Sequence, residues 1–127
     1  DYMKILISNS SPVPIYEQIK TQTINQIMSD ELSEGEMIPS IRTLAKDITI
    51  SIMTIKKAYD ELEKEGYINI VQGKGTFVSK KNKEFVKEKA CKKIESNIEE
   101  IIDIANKYNI SKKEVLDLFE FIYGDKN

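Results

Sequence analysis

The 127 residues are 40% hydrophobic and 31% charged, with a formal net charge of −2, which suits one ordinary folded domain or a small domain with an appendage. There is no histidine and a single cysteine, so an internal disulfide is excluded, and triad hydrolysis and typical zinc chemistry lack their usual residues. No apolar run is long enough to span a bilayer and no signal peptide opens the chain, so the expectation is a cytoplasmic, non-enzymatic protein without metal or cofactor, with Cys91 as a thiol in its core.

Met3-Lys4-Ile5-Leu6-Ile7 suggests a small edge strand. A loop over Ser10-Ser11-Pro12-Val13-Pro14 leads into a helix, with Pro14 suited to its first turn. Ile15, Ile19, Ile24, Ile27 and Met28 fall at helical spacing and predict a helix through about Glu31. After a turn at Ser33-Glu34-Gly35-Glu36, Ser40 is placed to cap a short second helix that buries Ile41, Leu44, Ala45 and Ile48. Thr49-Ile50-Ser51 forms a tight turn. Ser51 then caps a third helix whose stripe of Ile55, Ala58, Tyr59 and Leu62 lies on one face. Gly66 stands where a positive φ is needed to end that helix. Tyr67 to Val71 and Thr76 to Ser79 read as two strands around the turn Gln72-Gly73-Lys74-Gly75.

Lys80-Lys81-Asn82-Lys83 is a charged connector to a long helix, roughly Glu84 to Tyr108. Along it Ile94, Ile98, Ile101, Ala105 and Tyr108 recur with gaps alternating between 4 and 3, a heptad-like seam. Ser111-Lys112-Lys113-Glu114 is a capping box with Ile110 and Val115 as its hydrophobic staple. The last helix carries Leu116, Phe119, Ile122 and Tyr123 until Gly124 stops it. The expected organisation is a winged helix-turn-helix over residues 1–79 and a helical hairpin over residues 80–127, a mainly α fold with a small β wing. Two helices alone bury little surface, so the hairpin needs a cover, either the winged domain or a second copy. The preferred reading is dimerisation through Ile94, Ile98, Ile101, Ala105, Tyr108, Leu116, Phe119 and Ile122. Glu99, Glu100 and Asp103 read as a solvated face, not a metal site.

Charge is unevenly spread. Residues 40–59 carry a net +3 and residues 72–83 a net +4, while acids gather around residues 30–36 and 60–65. In a helix-turn-helix the start of the second helix of the pair meets base edges in the major groove. With the apolar stripe buried, Ile52, Met53, Thr54, Lys56 and Lys57 point outward. Ser51 and Thr54 can bond phosphates or bases, Lys56 can reach a phosphate or a guanine edge, and Ile52 or Met53 can touch a thymine methyl. Ser40 and Arg42 open the preceding helix beside them. Gly73-Lys74-Gly75 lacks bulk where a backbone would approach the minor groove, and Lys74 and Thr76 add a charge and a hydroxyl. This glycine turn joins two strands with no helix at once after it, so it is not a nucleotide-cradling loop. The expected partner is double-stranded DNA. A winged helix that docks proteins is the alternative; it requires an exposed apolar patch and no salt-dependent DNA affinity. A ligand sensor is a third reading, although two helices leave little room for a pocket.

These residues, taken together, resemble the GntR superfamily of bacterial transcription regulators. The resemblance spans about Pro14 to Ser79. It rests on Pro14-Ile15-Tyr16, Pro39-Ser40-x-Arg42-x-Leu44-Ala45, Ser51-x-x-Thr54-Ile55-x-x-Ala58-Tyr59, Leu62-Glu63-x-Glu65-Gly66 and Gly73-x-Gly75-Thr76-Phe77-Val78. The short two-helix C-terminal region is similar to that of the YtrA-like subfamily. The resemblance implies a homodimeric repressor on an inverted-repeat operator, often encoded beside an ABC transporter that it controls. It carries DNA contacts onto Arg42, Ser51, Thr54, Lys56 and Gly73, with Lys74 and Thr76 nearby. Three positions depart from it. Ile52 stands where many relatives have an arginine, Lys56 where some have arginine, and Thr49 where a turn glycine is frequent. No effector is indicated.

Overall fold

In a computed structural model that describes residues 3–80 and 83–126, five helices and three short strands follow one another. The order is α1 (Ile15–Met28), β1 (Met37–Ile38), α2 (Ile41–Ile48), α3 (Ile52–Lys64), β2 (Ile68–Val71), β3 (Gly75–Val78), α4 (Lys83–Lys107) and α5 (Lys112–Lys126). Lys81 and Asn82 of the charged connector lie outside the described residues. The chain divides into two units, Asp1–Val86 and Lys87–Asn127. The first turn of α4 goes with the first unit because Val86 is buried there, which puts the division later than the expected 79/80.

Helix α3 is the axis of the first unit. Its stripe Ile55, Ala58, Tyr59 and Leu62 is fully buried, and α1 and α2 both pack on it. From α1 come Ile19, Thr23 and Ile27, and from α2 come Leu44 and Ala45. Each large aliphatic side chain buried this way contributes on the order of 1.5–3 kcal/mol. Thr23 is polar and fully buried, and its hydroxyl donates to the Ile19 carbonyl one turn back at 2.8 Å, so it carries no unmet hydrogen bond. α1 stops at Met28, earlier than Glu31, because Asp30 turns left-handed at φ 67°.

The helix ends follow their local chemistry. Gly66, at φ 92°, closes α3 with the paired bonds Tyr67 N–H to Leu62 O and Gly66 N–H to Glu63 O, a Schellman motif. The sheet has three antiparallel strands in the order β1-β3-β2. Ile68 faces Val78 and Ile70 faces Thr76 across one side of β3, while Ile38 faces Thr76 across the other. The strand β1 was not foreseen. It has two residues, too few for any alternation to register.

The expected edge strand at residues 3–7 is extended but belongs to no sheet. Its partner is a helix. Gln18, Gln22 and Gln26, one turn apart on α1, each exchange two hydrogen bonds with the arm backbone. Gln26 pairs with Lys4 at 3.2 and 2.7 Å, Gln22 with Leu6 at 2.8 and 2.6 Å, and Gln18 with Ser8 at 2.9 and 3.0 Å. A glutamine amide presents the same donor and acceptor as a peptide group, so the three side chains imitate a neighbouring strand. The alternate residues Met3 and Ile5 are thereby turned into the core.

In the second unit, Asn109 at φ 56° ends α4, and Ser111 and Glu114 form the expected capping box at 3.1 and 3.2 Å. Two expectations are corrected. Gly124 does not stop the last helix, which runs on to Lys126. Cys91 is exposed and not a core thiol. As expected of two helices, the hairpin does not cover its own apolar faces, and no described residue of α5 is buried. Ile94, Ile98, Ile101, Tyr108, Leu116, Phe119 and Ile122 are all exposed. Ala105 is the exception among the expected interface residues. It is 8% exposed within the single chain, and so is already covered without a partner.

Candidate nucleic-acid interface

Two helix starts and one hairpin make up the candidate surface, all in the first unit. α2 and α3 begin with the same device. Ser40 Oγ accepts from the Thr43 amide at 3.1 Å and its hydroxyl donates to Thr43 Oγ1 at 2.9 Å. Ser51 Oγ accepts from the Thr54 amide at 3.2 Å and lies 2.8 Å from Thr54 Oγ1. Each serine satisfies one of the free backbone donors of its helix start, and the remaining donors of that first turn favour an anion. The repeated Ser-x-x-Thr spacing is visible in the sequence, whereas the contact of each threonine hydroxyl with its cap is not.

The turn between these helices rests on Thr49, which adopts φ 56° and ψ 50° while its amide donates to the Ala45 carbonyl. A β-branched residue is strained in that region, so the departure from glycine seen in the sequence has a physical cost here. The buried Tyr59 hydroxyl donates to the Pro39 carbonyl at 2.6 Å, tying α3 to the residue before the α2 cap. Lys20 braces α3 from the other side, with an ion pair of 3.0 Å to Glu61 and a second to Glu65. Burial works against the Lys20 ammonium, but hydrogen bonds and attraction from Glu65 and Glu61 outweigh it and push its pKa to about 12.

The outward face of α3 carries Ile52, Met53, Lys56 and Lys57, all exposed, and Thr54, half-buried. The two lysines are directed along or back from the helix. Lys56 pairs with Asp60 at 2.7 Å, and the Lys57 ammonium sits 4.1 Å from the centre of the Tyr16 ring on α1. Lys57 is therefore placed towards α1 and not at the helix start, which its sequence position alone did not show.

The hairpin tip is a tight turn closed by the Lys74 amide donating to the Val71 carbonyl at 2.9 Å, with Gly73 at φ 80° in its third position. A β-carbon at Gly73 would meet nothing within 4 Å, so the tip is open on that side. Between this hairpin and the start of α2 runs an open groove lined by Ser40, Arg42, Val71, Gly73, Lys74 and Thr76. Arg42 and Lys74 are exposed along it. Thr76 is a correction. It pairs with both neighbouring strands from the centre of the sheet and is only 3% exposed, so its side chain is not free to meet DNA. Glu63 was missed. Its carboxylate accepts from the Ile70 amide at 2.8 Å, which fastens the hairpin to the last turn of α3. Its position among the acids of α3 does not by itself reveal this contact.

The part of the chain that carries this surface is similar to known proteins. The profile of "Bacterial regulatory proteins, gntR family" matches residues 15–78. The chain belongs to the gntR family. A YtrA-like placement within it follows from the HTH-type transcriptional repressor YtrA of Bacillus subtilis, 31% identical over 95% of this chain and 93% of that protein. A crystal structure of a transcriptional antiterminator from Listeria monocytogenes EGD-e superposes with a TM-score of 0.69 at 31% identity, covering 98% of this chain and 93% of that one. The AraR DNA-binding domain, solved in complex with operator ORX1, superposes with a TM-score of 0.54 at 28% identity, covering 62% of this chain and 99% of that one. The gntR family is one of regulators and not of enzymes. Among the described residues no helix is long and apolar enough to cross a membrane, and no group of three potential ligands is placed to hold a metal ion.

Proposed function

We propose that this chain is a sequence-specific DNA-binding transcription repressor that acts as a homodimer on an inverted-repeat operator. The observation that carries the reading is the arrangement of the first unit. Two capped helix starts and an open glycine tip flank a groove bearing Arg42 and Lys74, on a fold shared with a domain solved on its operator. In this reading the start of α3 enters the major groove. Ser51, Ile52, Met53 and Thr54 meet base edges or the adjoining phosphates. Ser40, Arg42, Lys56 and Lys74 set phosphate affinity, and Gly73 lets the hairpin backbone approach the minor groove. Lys57, drawn onto Tyr16, contributes least.

Dimerisation is supported by the second unit, where Ile94, Ile98, Ile101, Tyr108, Leu116, Phe119 and Ile122 are exposed on two helices. So much uncovered apolar surface marks an interaction site. A second copy brings two reading heads onto two half-sites and gains by effective concentration. The YtrA-like resemblance implies an operator upstream of the protein's own operon, beside a transporter of the ABC class. Selection of bound fragments from the source genome tests the whole reading. Recovery of a shared inverted repeat, including the upstream region, is the expected result. Fragments without a common repeat would contradict it.

A further inference from the structure

Under the proposed function, on which this inference rests, the four residues from Ser51 to Thr54 are the part of the molecule that meets base edges. Two of them are large, apolar and open to solvent, with Ile52 45% and Met53 72% exposed. The other two are hydroxyls occupied with one another at 2.8 Å. The cations that follow lean away from the helix start. Lys56 reaches one turn towards the helix end to Asp60 at 2.7 Å, and Lys57 lies over the Tyr16 ring. The start of α3 therefore offers no long donor to a guanine or adenine edge, the contact through which purines are usually read. It offers apolar surface. The apolar feature of a major-groove edge is the C5 methyl of thymine.

We propose that Ile52 and Met53 are specificity-determining residues that read thymine methyl groups, so that each half-site carries A·T pairs where it faces the start of α3. Burying one methyl-sized group against an apolar side chain is worth about 0.8 kcal/mol, or about fourfold in affinity. The two side chains differ in stiffness. Ile52 is β-branched and has one strongly preferred helical rotamer, whereas Met53 is flexible. Ile52 imposes the sharper preference, and Met53 tolerates a shift of one base pair.

The test uses the full chain and the operator recovered from genomic selection. Each thymine of one half-site is replaced in turn by deoxyuridine, which removes the methyl and leaves base pairing intact. The expected result is a loss of about fourfold at one or two positions and none elsewhere. Ile52→Ala should bind the parent operator about fourfold more weakly and no longer distinguish thymine from deoxyuridine at its position, and Met53→Ala should do the same at the neighbouring one. Both residues are exposed, so the melting temperature of each variant should match the parent. Tight binding to the parent operator with no effect of any deoxyuridine would overturn the inference, as would variants that still discriminate. Failure to bind any fragment would instead remove the underlying DNA-binding reading, and this inference with it.

Discussion

Thr49 stands at the corner between α2 and α3 in a left-handed conformation that suits glycine or asparagine better than a β-branched residue. Relief of that strain exceeds the extra chain entropy of glycine, so Thr49→Gly should stabilise the protein by about 1 kcal/mol in urea unfolding. A destabilised variant would show that the threonine side chain has a compensating role. Arg42 lies in the groove between α2 and the hairpin. Its replacement by alanine should weaken operator binding by roughly 1–3 kcal/mol and lower the salt slope by about 1, because one phosphate contact is lost. Unchanged affinity and slope would exclude the groove from the interface. At this scale the sequence was legible where a residue's backbone decided its role, as at Gly66, Gly73 and the two serine caps. It was less so where neighbours from other elements decided. Thr76 looked like a free hydroxyl beside a glycine until both flanking strands closed on it. Lys57 looked like an outward charge until Tyr16 of α1 came beneath it.

Between elements, fixed polar ties join the helices and the hairpin into one reading head. The Glu63 carboxylate holds the Ile70 amide of the hairpin to α3. Glu63→Ala should cost about 1 kcal/mol of stability. It should also speed exchange of the Ile70 amide and weaken operator binding, whereas Glu63→Gln, which keeps an acceptor, should restore most of both. If Glu63 acts through the hairpin, its effect on binding should shrink in a Lys74→Ala background. Equal effects in both backgrounds would exclude that route. Lys20 ties α1 to α3, and its side chain is only 13% exposed. Its pKa is raised from 10.5 to about 12 in the fold, so its contribution is complete below about pH 10.5 and is lost as pH rises through 12. The stability gap between the parent and Lys20→Met should thus stay level from pH 7 to 10 and narrow above that. A gap that narrows already near neutral pH would contradict the pairing. Helices with a one-faced apolar stripe, above all α3, were plain from spacing alone. The arm at residues 3–7 was not. Its alternation suggests an edge strand, but its partner is not a sheet: it is a column of glutamines whose polarity resembles an ordinary solvated helix face. The strand β1 exists because β3 offers it an edge, a long-range fact that two residues cannot announce.

For the whole molecule, the open question in the sequence was what covers the C-terminal helices. The second unit leaves the seam of α4 and the apolar residues of α5 exposed, apart from Ala105 and the half-buried Val115. Ile98 sits mid-seam. Ile98→Glu should convert a dimer to a monomer in sedimentation while leaving the melting of the first unit nearly unchanged, and should cost operator binding far more than half-site binding. A variant that sediments like the parent would exclude this seam. The same apolar periodicity that made the seam legible could not say who fills it, because a heptad pattern is satisfied equally by the same chain or by another.

The most direct single measurement is fluorescence anisotropy of the full chain with its own upstream DNA and a scrambled control across a salt series. Tight binding to the upstream DNA, with a steep loss of affinity as salt rises and only weak binding to the control, is the expected result. Equal weak binding to both sequences, or an affinity indifferent to salt, would contradict a sequence-specific repressor that acts at its own promoter through this surface.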